Sequence, residues 1–319
     1  MKLSDIYRTA VEMGMNADPR GREAAQKELD KAAKAYEKLE EEEQEFFDMA
    51  SLENPYGDSR LLYGDPDKEI HKLFCGIDLE VGEINLIENL NRRGAAIDLA
   101  LAHHPEGEGL ANLGKVMQVQ PGVIRKTGVL PNVAEALLDE RIVEVERSVH
   151  SANHFRAVDA ARLLDLPMMC VHTPADNLAA SFLTELLEAE APETVGDIVK
   201  LLKEIPEYHY SAVHNLPPLL VSGASGRSAG KIFVDFTGGT SGPKEMMQKL
   251  SDAGVSTVVA MHATEGMVKI AKEAKLNLLI AGHMASDSLG LNLFLDELAC
   301  AGVEIVAGSG LIRWQRKTA

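Results

Sequence analysis

The chain has 319 residues, of which 45% are hydrophobic and 25% are charged, as in ordinary globular proteins. Its formal net charge of -17 argues against general nucleic-acid binding, because phosphate backbones are held by clustered Lys and Arg. No apolar run approaches the roughly 18 residues of a membrane-spanning helix, and the segment Met1 to Ile6 lacks a signal-peptide core. We therefore expect a cytoplasmic protein without membrane contact. Three cysteines, far apart and without a C-x-x-C spacing, predict free thiols.

The first 50 residues differ from the rest. Apolar residues recur at steps of three and four from Leu3 to Met13 and again from Ala25 to Phe46, with a Pro-Gly break between them. This spacing predicts a helical hairpin over residues 1–50, whose apolar stripe packs on the body of the protein or on a neighbouring subunit. Glutamates cluster near its end, at 40–43 and 45, and we interpret them as a solvated face in preference to a binding tail.

Beyond the turn-rich segment 54–58, short apolar strands alternate with helical stretches, which is typical of an α/β fold. The pattern predicts two related α/β units with mainly parallel sheets, one over residues 54–180 and one over residues 181–319. We expect a glycine-rich connection at 106–114 and an irregular segment at 206–230. The predicted strands are 71–78, 95–102 and 167–171 in the first unit, and 232–236, 255–261, 276–281 and 303–307 in the second.

Several histidines follow apolar strands at their carboxyl ends, where open α/β sheets place their ligands. These are the pair His103 and His104, and then His172, His262 and His283. Two adjacent imidazoles would be costly to bury without partners, so we interpret the pair as metal ligands. An aspartate follows two of the histidines at the same spacing, as Asp176 and Asp287. Mixed imidazole and carboxylate ligation suits zinc, iron or manganese, and a carboxylate could bridge two ions.

Each of these residues also has a structural interpretation. A lone strand-end histidine such as His262 is often only a hydrogen-bonding group. His283 and Asp287 could simply begin a helix. His150 and His154 have i, i+4 spacing but lack the glutamate or third histidine of a metalloprotease motif, so we expect them at the surface or behind the ligands.

Two further features stay open on the residues alone. The segment Thr237–Gly242, which contains Gly238 and Gly239, leads from a strand into a helix and could bind phosphate through backbone N–H groups. It lacks the P-loop lysine, so a tight turn is an equal alternative. Asp78 could support a ligand or simply end a strand.

Four motifs in order resemble the Ngg-interacting factor 3-like family, a dinuclear-metal family also known as type 2 GTP cyclohydrolase I. The match covers about residues 55–319. It lies in Asp58 to Pro66 with the strand end Gly76-Ile77-Asp78, in Ala102-His103-His104-Pro105, in His172-Thr173-Pro174-Ala175-Asp176, and in Gly282-His283-Met284-Ala285-Ser286-Asp287.

The resemblance implies two bound metal ions and a toroidal hexamer whose sites face an internal cavity. The implied ligands are His103, His104, Asp176, His283 and Asp287, with Asp287 as the bridge and His172 close by. Three departures stand out. Asp287 occupies a position where the family usually has glutamate, the H-T-x-x-D segment lacks an asparagine, and the hairpin lies outside the common core.

These observations predict a hydrolase that uses two divalent ions (zinc, iron or manganese) on a small molecule such as a nucleotide or a pterin-like compound. His172 or His262 would carry a proton. The alternative is a non-catalytic metal carrier that supplies iron or another ion to an acceptor protein. A purely structural or regulatory scaffold ranks last, because it leaves the convergent ligands unexplained.

Overall fold

The computed structural model describes residues 1–317. Within them, no helix combines the length and apolar character needed to cross a membrane. The strands are β1 (Arg60–Tyr63), β2 (Lys72–Gly76), β3 (Leu99–Ala102), β4 (Met168–Cys170), β5 (Leu219–Ser222), β6 (Ile232–Asp235), β7 (Thr257–Ala260), β8 (Asn277–Ile280) and β9 (Glu304–Ala307).

Helices surround these strands. They are α1 (Leu3–Asn16), α2 (Arg22–Tyr36), α3 (Glu41–Gln44), α4 (Val81–Arg92), α5 (Gly107–Ala111), α6 (Leu113–Val116), α7 (Gln120–Arg125), α8 (Pro131–His150), α9 (Arg156–Leu163), α10 (Thr173–Glu190), α11 (Val195–Glu204), α12 (Pro206–Val213), α13 (Met246–Asp252), α14 (Glu265–Glu273) and α15 (His283–Cys300). Short 3-10 turns lie at Met49–Leu52 and Met117–Val119.

The strands form two sheets, which confirms the predicted fold class. The first sheet has the order β1-β4-β3-β2-β9 and the second has the order β5-β8-β7-β6. In each sheet the first strand of that order is an antiparallel edge, and the remaining strands are parallel. All four residues of β3 are buried, as expected for a strand covered by helices on both faces.

The two sheets correspond element by element. Strands β1 to β4 followed by α10 match β5 to β8 followed by α15. The helices α10 and α15 pack closely, since Gly290 on α15 lies against the backbone of Ala175 on α10 with no room for a side chain. This contact brings the carboxyl ends of the two sheets together.

The amino-terminal helices confirm the predicted pair. Leu3, Ile6 and Ala10 of α1 are buried in the core that covers the first sheet. The second helix is shorter than predicted, because α2 ends at Tyr36 and the side chain of Phe46 is 86% exposed. The glutamates after residue 39 would place like charges three and four residues apart on a longer helix, which disfavours it.

Two other predictions differ from the structure. The strand at 303–307 was expected in the second unit, but β9 pairs in parallel with β2 of the first sheet. Helix α15 precedes β9, and its residues Leu291, Phe294 and Leu298 pack in the core of the first sheet. The chain therefore leaves α15 beside the first sheet, where β9 pairs. The segment 206–230, which was expected to be irregular, contains α12 and β5. Pro206 is the first residue of α12, a position where proline is favoured.

Candidate metal centre

The histidines and aspartates singled out in the sequence converge at the carboxyl ends of both sheets. His103 and His104 follow β3, whereas His172 follows β4 and precedes α10, whose first turn holds Asp176. From the other half, α15 begins at His283 and carries Asp287 one turn later. Successive imidazole rings are neighbours, with centroid separations of 5.3 Å for His103–His104, 5.0 Å for His103–His172 and 5.2 Å for His104–His283.

The deep position of the centre is formed by His103, Asp176 and one oxygen of Asp287. The Nε2 atom of His103 lies 3.4 Å from Asp176 Oδ1 and 3.5 Å from Asp287 Oδ1. All three side chains are buried, and only 1% of the His103 side chain is exposed. These residues form one of the groups whose ligand atoms lie close enough to share a metal ion.

The outer position is formed by His104, His283 and the second oxygen of Asp287. Asp287 Oδ2 lies 3.6 Å from His104 Nε2 and 3.5 Å from His283 Nε2. The side chains of His104 and His283 are 26% and 38% exposed, so this position opens to solvent. Asp287 therefore presents one oxygen to each position.

The donor atoms fit metal ions better than they fit one another. Across residues 1–317, eight buried side-chain N or O atoms lack a hydrogen-bond partner, and four of them belong to His103 (Nε2), Asp176 (Oδ1) and Asp287 (both oxygens). Two ligands bound ~2.1 Å from one ion at a tetrahedral angle lie ~3.4 Å apart. The observed spacings of 3.4–3.6 Å match this value. A cation at each position would satisfy atoms that are otherwise costly to bury.

Three histidines are held by a partner on the ring nitrogen that faces away from the centre. His103 Nδ1 lies 3.0 Å from the carbonyl oxygen of Val171, and His104 Nδ1 lies 2.6 Å from Asp78 Oδ1. Because a carbonyl only accepts hydrogen bonds, a neutral His103 ring carries its proton on Nδ1 and turns the Nε2 lone pair towards the centre. Such backing groups orient metal-binding imidazoles. Asp78, which the sequence left open, therefore supports a ligand.

Asp58 plays the same part for His172, and the sequence analysis missed it. Its buried Oδ2 lies 2.8 Å from His172 Nδ1 and accepts a hydrogen bond from Thr173 Oγ1 at 2.7 Å. On its other side, His172 Nε2 lies 3.8 Å from Asp176 Oδ2 and falls in a metal-capable group with His103 and His104. The only signal for Asp58 was its place in the first family motif, where an aspartate before a serine also suits a turn.

The electrostatics of the deep position call for a positive charge. Burial lowers the pKa of His103, but the Asp287 and Asp176 carboxylates outweigh burial and raise that pKa well above its usual value. Burial likewise opposes ionisation of Asp287, yet His103 and the other nearby imidazoles hold its pKa far below the ordinary range. Two carboxylates thus share one small buried volume, and their counter-charge is either a proton on an imidazole or a metal ion.

A small cavity joins the centre to the second sheet. It is lined by the candidate ligands His172, Asp176, His283 and Asp287, by Asp235, Phe236, Met261, His262 and Met267, and by the loop residues Thr237, Gly239, Thr240 and Ser241. The exposed ring of His262 stands edge-on to His283 at 4.9 Å, and its Nδ1 lies 3.0 Å from Ser241 Oγ. Burial lowers the pKa of His262 and raises the pKa of Asp235, a residue that the sequence analysis missed, to about 6.

The remaining histidine pair lies elsewhere. His150 ends α8 and is exposed, and His154 lies in the turn before α9. Neither belongs to a metal-capable group within residues 1–317. The structure therefore keeps His150 and His154 out of the centre, as expected.

Among known proteins, the chain matches solved structures but no family profile. No protein-family profile matches the sequence, and no curated protein matches it. The crystal structure of a NIF3 superfamily protein from Sphaerobacter thermophilus is 27% identical, covers 80% of this chain and 92% of its own, and superposes with a TM-score of 0.71.

Two weaker likenesses are to reduced HcgD from Methanocaldococcus jannaschii and to a Bacillus cereus protein related to NIF3. The first is 17% identical over 77% of this chain and 87% of its own, with a TM-score of 0.49. The second is 11% identical over 82% and 93%, with a TM-score of 0.43. The likeness to the Sphaerobacter protein extends over 80% of this chain. The chain is thus similar over most of its length to a NIF3 superfamily protein, in agreement with the resemblance of its motifs to the Ngg-interacting factor 3-like family.

Proposed function

We propose that this protein is a hydrolase of small molecules that depends on a dinuclear metal centre. The observation that carries the proposal is the position of Asp287, whose two oxygens face two separate sets of donor atoms. A carboxylate placed in this way is the usual bridge of a two-metal site. In this proposal His103 and Asp176 hold the deep ion, His104 and His283 hold the outer ion, and Asp287 binds both.

When bound, a pair of divalent ions supplies Lewis-acid chemistry, which polarises a substrate bond and lowers the pKa of a water molecule. Zinc, iron and manganese all suit this mixed set of imidazoles and carboxylates. The chain would supply proton transfer. His262 stands on the cavity wall with its ring fixed through Ser241, so its Nε2 can accept a proton and return it to the leaving group.

His172 can fill either of two roles. Its contact with Asp58 fixes the ring and leaves Nε2 near Asp176, as in a histidine that completes a ligand set. The same arrangement suits a proton shuttle, the role that the sequence predicted. A His172→Gln variant separates the two roles, because loss of metal indicates a ligand and loss of turnover at full metal content indicates a shuttle.

The second candidate function is delivery of a metal ion to an acceptor protein. One observation favours it, namely that the ligands of the outer position are 26% and 38% exposed whereas His103 is almost fully buried. An outer ion could therefore leave without the deep one. In this version the deep ion stabilises the fold and the outer ion is the cargo.

The resemblance to the family also suggests the setting of the protein. We propose a toroidal hexamer in the cytoplasm, with the metal centres facing its internal cavity. A hexamer is tested by light scattering coupled to size exclusion, which would give six chain masses. A monomeric or dimeric mass would contradict it.

The first experiment measures metal content and turnover on the same samples. Purified wild-type protein, His103→Ala, His283→Ala and the control His150→Ala are loaded with zinc, iron or manganese and assayed by plasma mass spectrometry. The control removes an exposed histidine outside the centre, so it should match wild type. We expect two ions per chain in wild type and fewer in both site variants. Two ions per chain in both His103→Ala and His283→Ala would contradict the assignment of these histidines as metal ligands.

Turnover is then measured on a panel of nucleotides, phosphoesters and cyclic amides. Hydrolysis by wild type and His150→Ala, with loss in the site variants, supports the hydrolase. Background activity with every metal, combined with transfer of an ion to an acceptor chelate protein, supports the carrier instead.

A further inference from the structure

The segment Thr237–Gly242, termed here the glycine loop, forms the wall of the cavity that faces the metal centre. It connects β6 to the region before α13. Its front residues Gly239, Thr240 and Ser241 line the cavity together with Asp176 and Asp287. Its back presses on helices α6 and α7, since side chains added at Gly238 or Gly239 would collide with Gln120 or Val116. The loop backbone is therefore confined between the cavity on one side and helices α6 and α7 on the other.

Donors from the first half of the chain hold the carbonyl groups of the glycine loop. The Nε2 atom of Gln120 donates to the carbonyl oxygens of Gly238 at 2.7 Å and Thr240 at 2.6 Å. Arg141 Nε donates to the carbonyl oxygen of Ser241 at 3.1 Å. Gln120 is only 6% exposed, so this buried amide is committed to fixing the direction of the loop peptides.

The direction of the carbonyls fixes that of the amides. In a trans peptide the C=O of one residue and the N–H of the next point in opposite directions. Because the carbonyls of Gly238 and Thr240 point to Gln120, the N–H groups of Gly239 and Ser241 point away from it, towards the cavity. Neither N–H donates a hydrogen bond within the described chain, residues 1–317, whereas the N–H of Thr240 bonds to Gly238 O at 3.1 Å.

Two free N–H donors thus point into the cavity that Asp176 and Asp287 also line, and the Ser241 hydroxyl on the same wall is paired with His262 Nδ1 at 3.0 Å. Without cations an anion would be repelled there by Asp176, Asp235 and Asp287, which all line the cavity. Two divalent ions would carry four positive charges against these three carboxylates, so the loaded cavity would be positive and its amides would complete an anion site.

We propose that the glycine loop is a subsite for a phosphoryl group of the substrate, an inference that rests on the proposed function. A tetrahedral phosphoryl group has oxygens enough to accept from both amides while another oxygen faces the centre. A carboxylate has only two oxygens, so it cannot give a separate oxygen to each of the two amides and a third to the centre. The loop therefore selects phosphate-bearing small molecules, with the amide donors of Gly239 and Ser241 as the selecting groups.

The test uses inorganic phosphate as the probe and manganese-loaded, full-length protein. A Ser241→Pro substitution removes the Ser241 N–H, and Ser241→Ala is the matched control that keeps it. Isothermal titration calorimetry should give a phosphate Kd roughly tenfold weaker in Ser241→Pro than in Ser241→Ala, the usual effect of losing one hydrogen bond to a charged group. Metal content should be equal in the two variants. Equal phosphate affinity in them overturns the assignment.

Two further arms keep the result decisive. Should Ser241→Pro fail to fold, Gln120→Leu releases the loop carbonyls and is predicted to weaken phosphate binding in the same way, and unchanged binding there overturns the proposal. Acetate should bind far more weakly than phosphate, and an equal, loop-dependent affinity for acetate would also contradict it. Loop-dependent phosphate binding without turnover upholds the subsite and rejects only the hydrolase. Turnover without loop-dependent phosphate binding upholds the hydrolase and rejects the subsite.

Discussion

The deep and outer positions of the centre share Asp287 but differ in burial and in the groups that hold their histidines. At the deep position His103 is 1% exposed and is held by the backbone carbonyl of Val171. At the outer position His104 and His283 are partly exposed, and His104 is held by Asp78, a residue that is itself exposed. Burying two carboxylates is costly without a counter-charge, so the deep position must be satisfied for the fold to be stable. The outer position carries no such requirement.

This difference has a functional meaning. A buried ion with rigid ligands is suited to holding structure and charge, whereas an ion at the solvent edge is suited to meeting a substrate or an acceptor. The protein would thus divide the work of one centre between a permanent ion and an accessible ion. Substitutions on either side of Asp287 test that division.

The largest effect is expected from Asp287→Asn. The substitution keeps the size of the side chain but removes the charge that both positions share, so both ions should be lost. Plasma mass spectrometry of protein dialysed against a weak chelator measures the outcome. Retention of one ion per chain would show that Asp287 serves only one position.

The next effect separates the two positions directly. His103→Ala should lose the deep ion and lower the melting temperature, because it leaves Asp176 and Asp287 buried without a counter-charge. His283→Ala should lose only the outer ion and retain one per chain, with little change in the melting temperature. Differential scanning fluorimetry and metal analysis on the same samples make the comparison. Identical behaviour of the two variants would break the distinction between deep and outer positions.

Substitution of the backing carboxylates should give smaller effects of unequal size. Loss of a group that orients a metal-binding histidine typically costs about 10–100-fold in metal affinity. Asp58 is fully buried and also binds Thr173, whereas Asp78 is exposed, so Asp58→Asn should lie at the upper end and Asp78→Asn at the lower end. Competition with a fluorescent chelator measures both affinities. A larger loss in Asp78→Asn would reverse the proposed order.

The smallest effect is a pH dependence that changes sign with metal. In metal-free protein the pKa of His103 is raised above its usual 6.5, so its stabilising contribution is full below pH 6.5 and is lost as the pH rises through the folded-state value. His172 acts in the same direction. In metal-loaded protein, protons compete with metal for the imidazoles, so stability should rise with pH over this range.

Melting temperatures between pH 6 and 9 measure both slopes, a range chosen around the usual histidine pKa of ~6.5. A His103→Gln variant provides the control, because it lacks the titrating ring and should flatten the metal-free slope. Parallel slopes with and without metal would contradict the assignment of His103 to the centre.

The convergence of the candidate ligands could be predicted from the sequence because they follow the ends of strands and begin helices. His103 and His104 follow a strand with four buried residues, and His172 and His283 each begin a helix after a strand, with an aspartate one turn later. Parallel strands end at one edge of a sheet, so such residues meet whenever the strands are neighbours. The close contact of α10 with α15 then joins the two sheets. No pattern in the sequence predicted that contact.

The residues that could not be predicted from the sequence contact partners that are far away along the chain. Asp58 lies in a turn more than a hundred residues before His172, and Gln120 reaches the glycine loop from α7 across a similar separation. Neither has a local signature, because a buried hydrogen-bonding role depends on which elements pack together. The same holds for β9, whose four residues read as a strand but whose place was set by α15.

The central claim is that two metal ions lie on opposite sides of Asp287. It is tested most directly by anomalous diffraction from crystals of zinc-loaded wild-type protein and of His283→Ala. We expect two anomalous peaks in wild type, one beside His103 and Asp176 and one beside His104 and His283. In His283→Ala we expect only the first of these peaks. A single peak in wild-type protein, or the loss of the peak at His103 in His283→Ala, would contradict it.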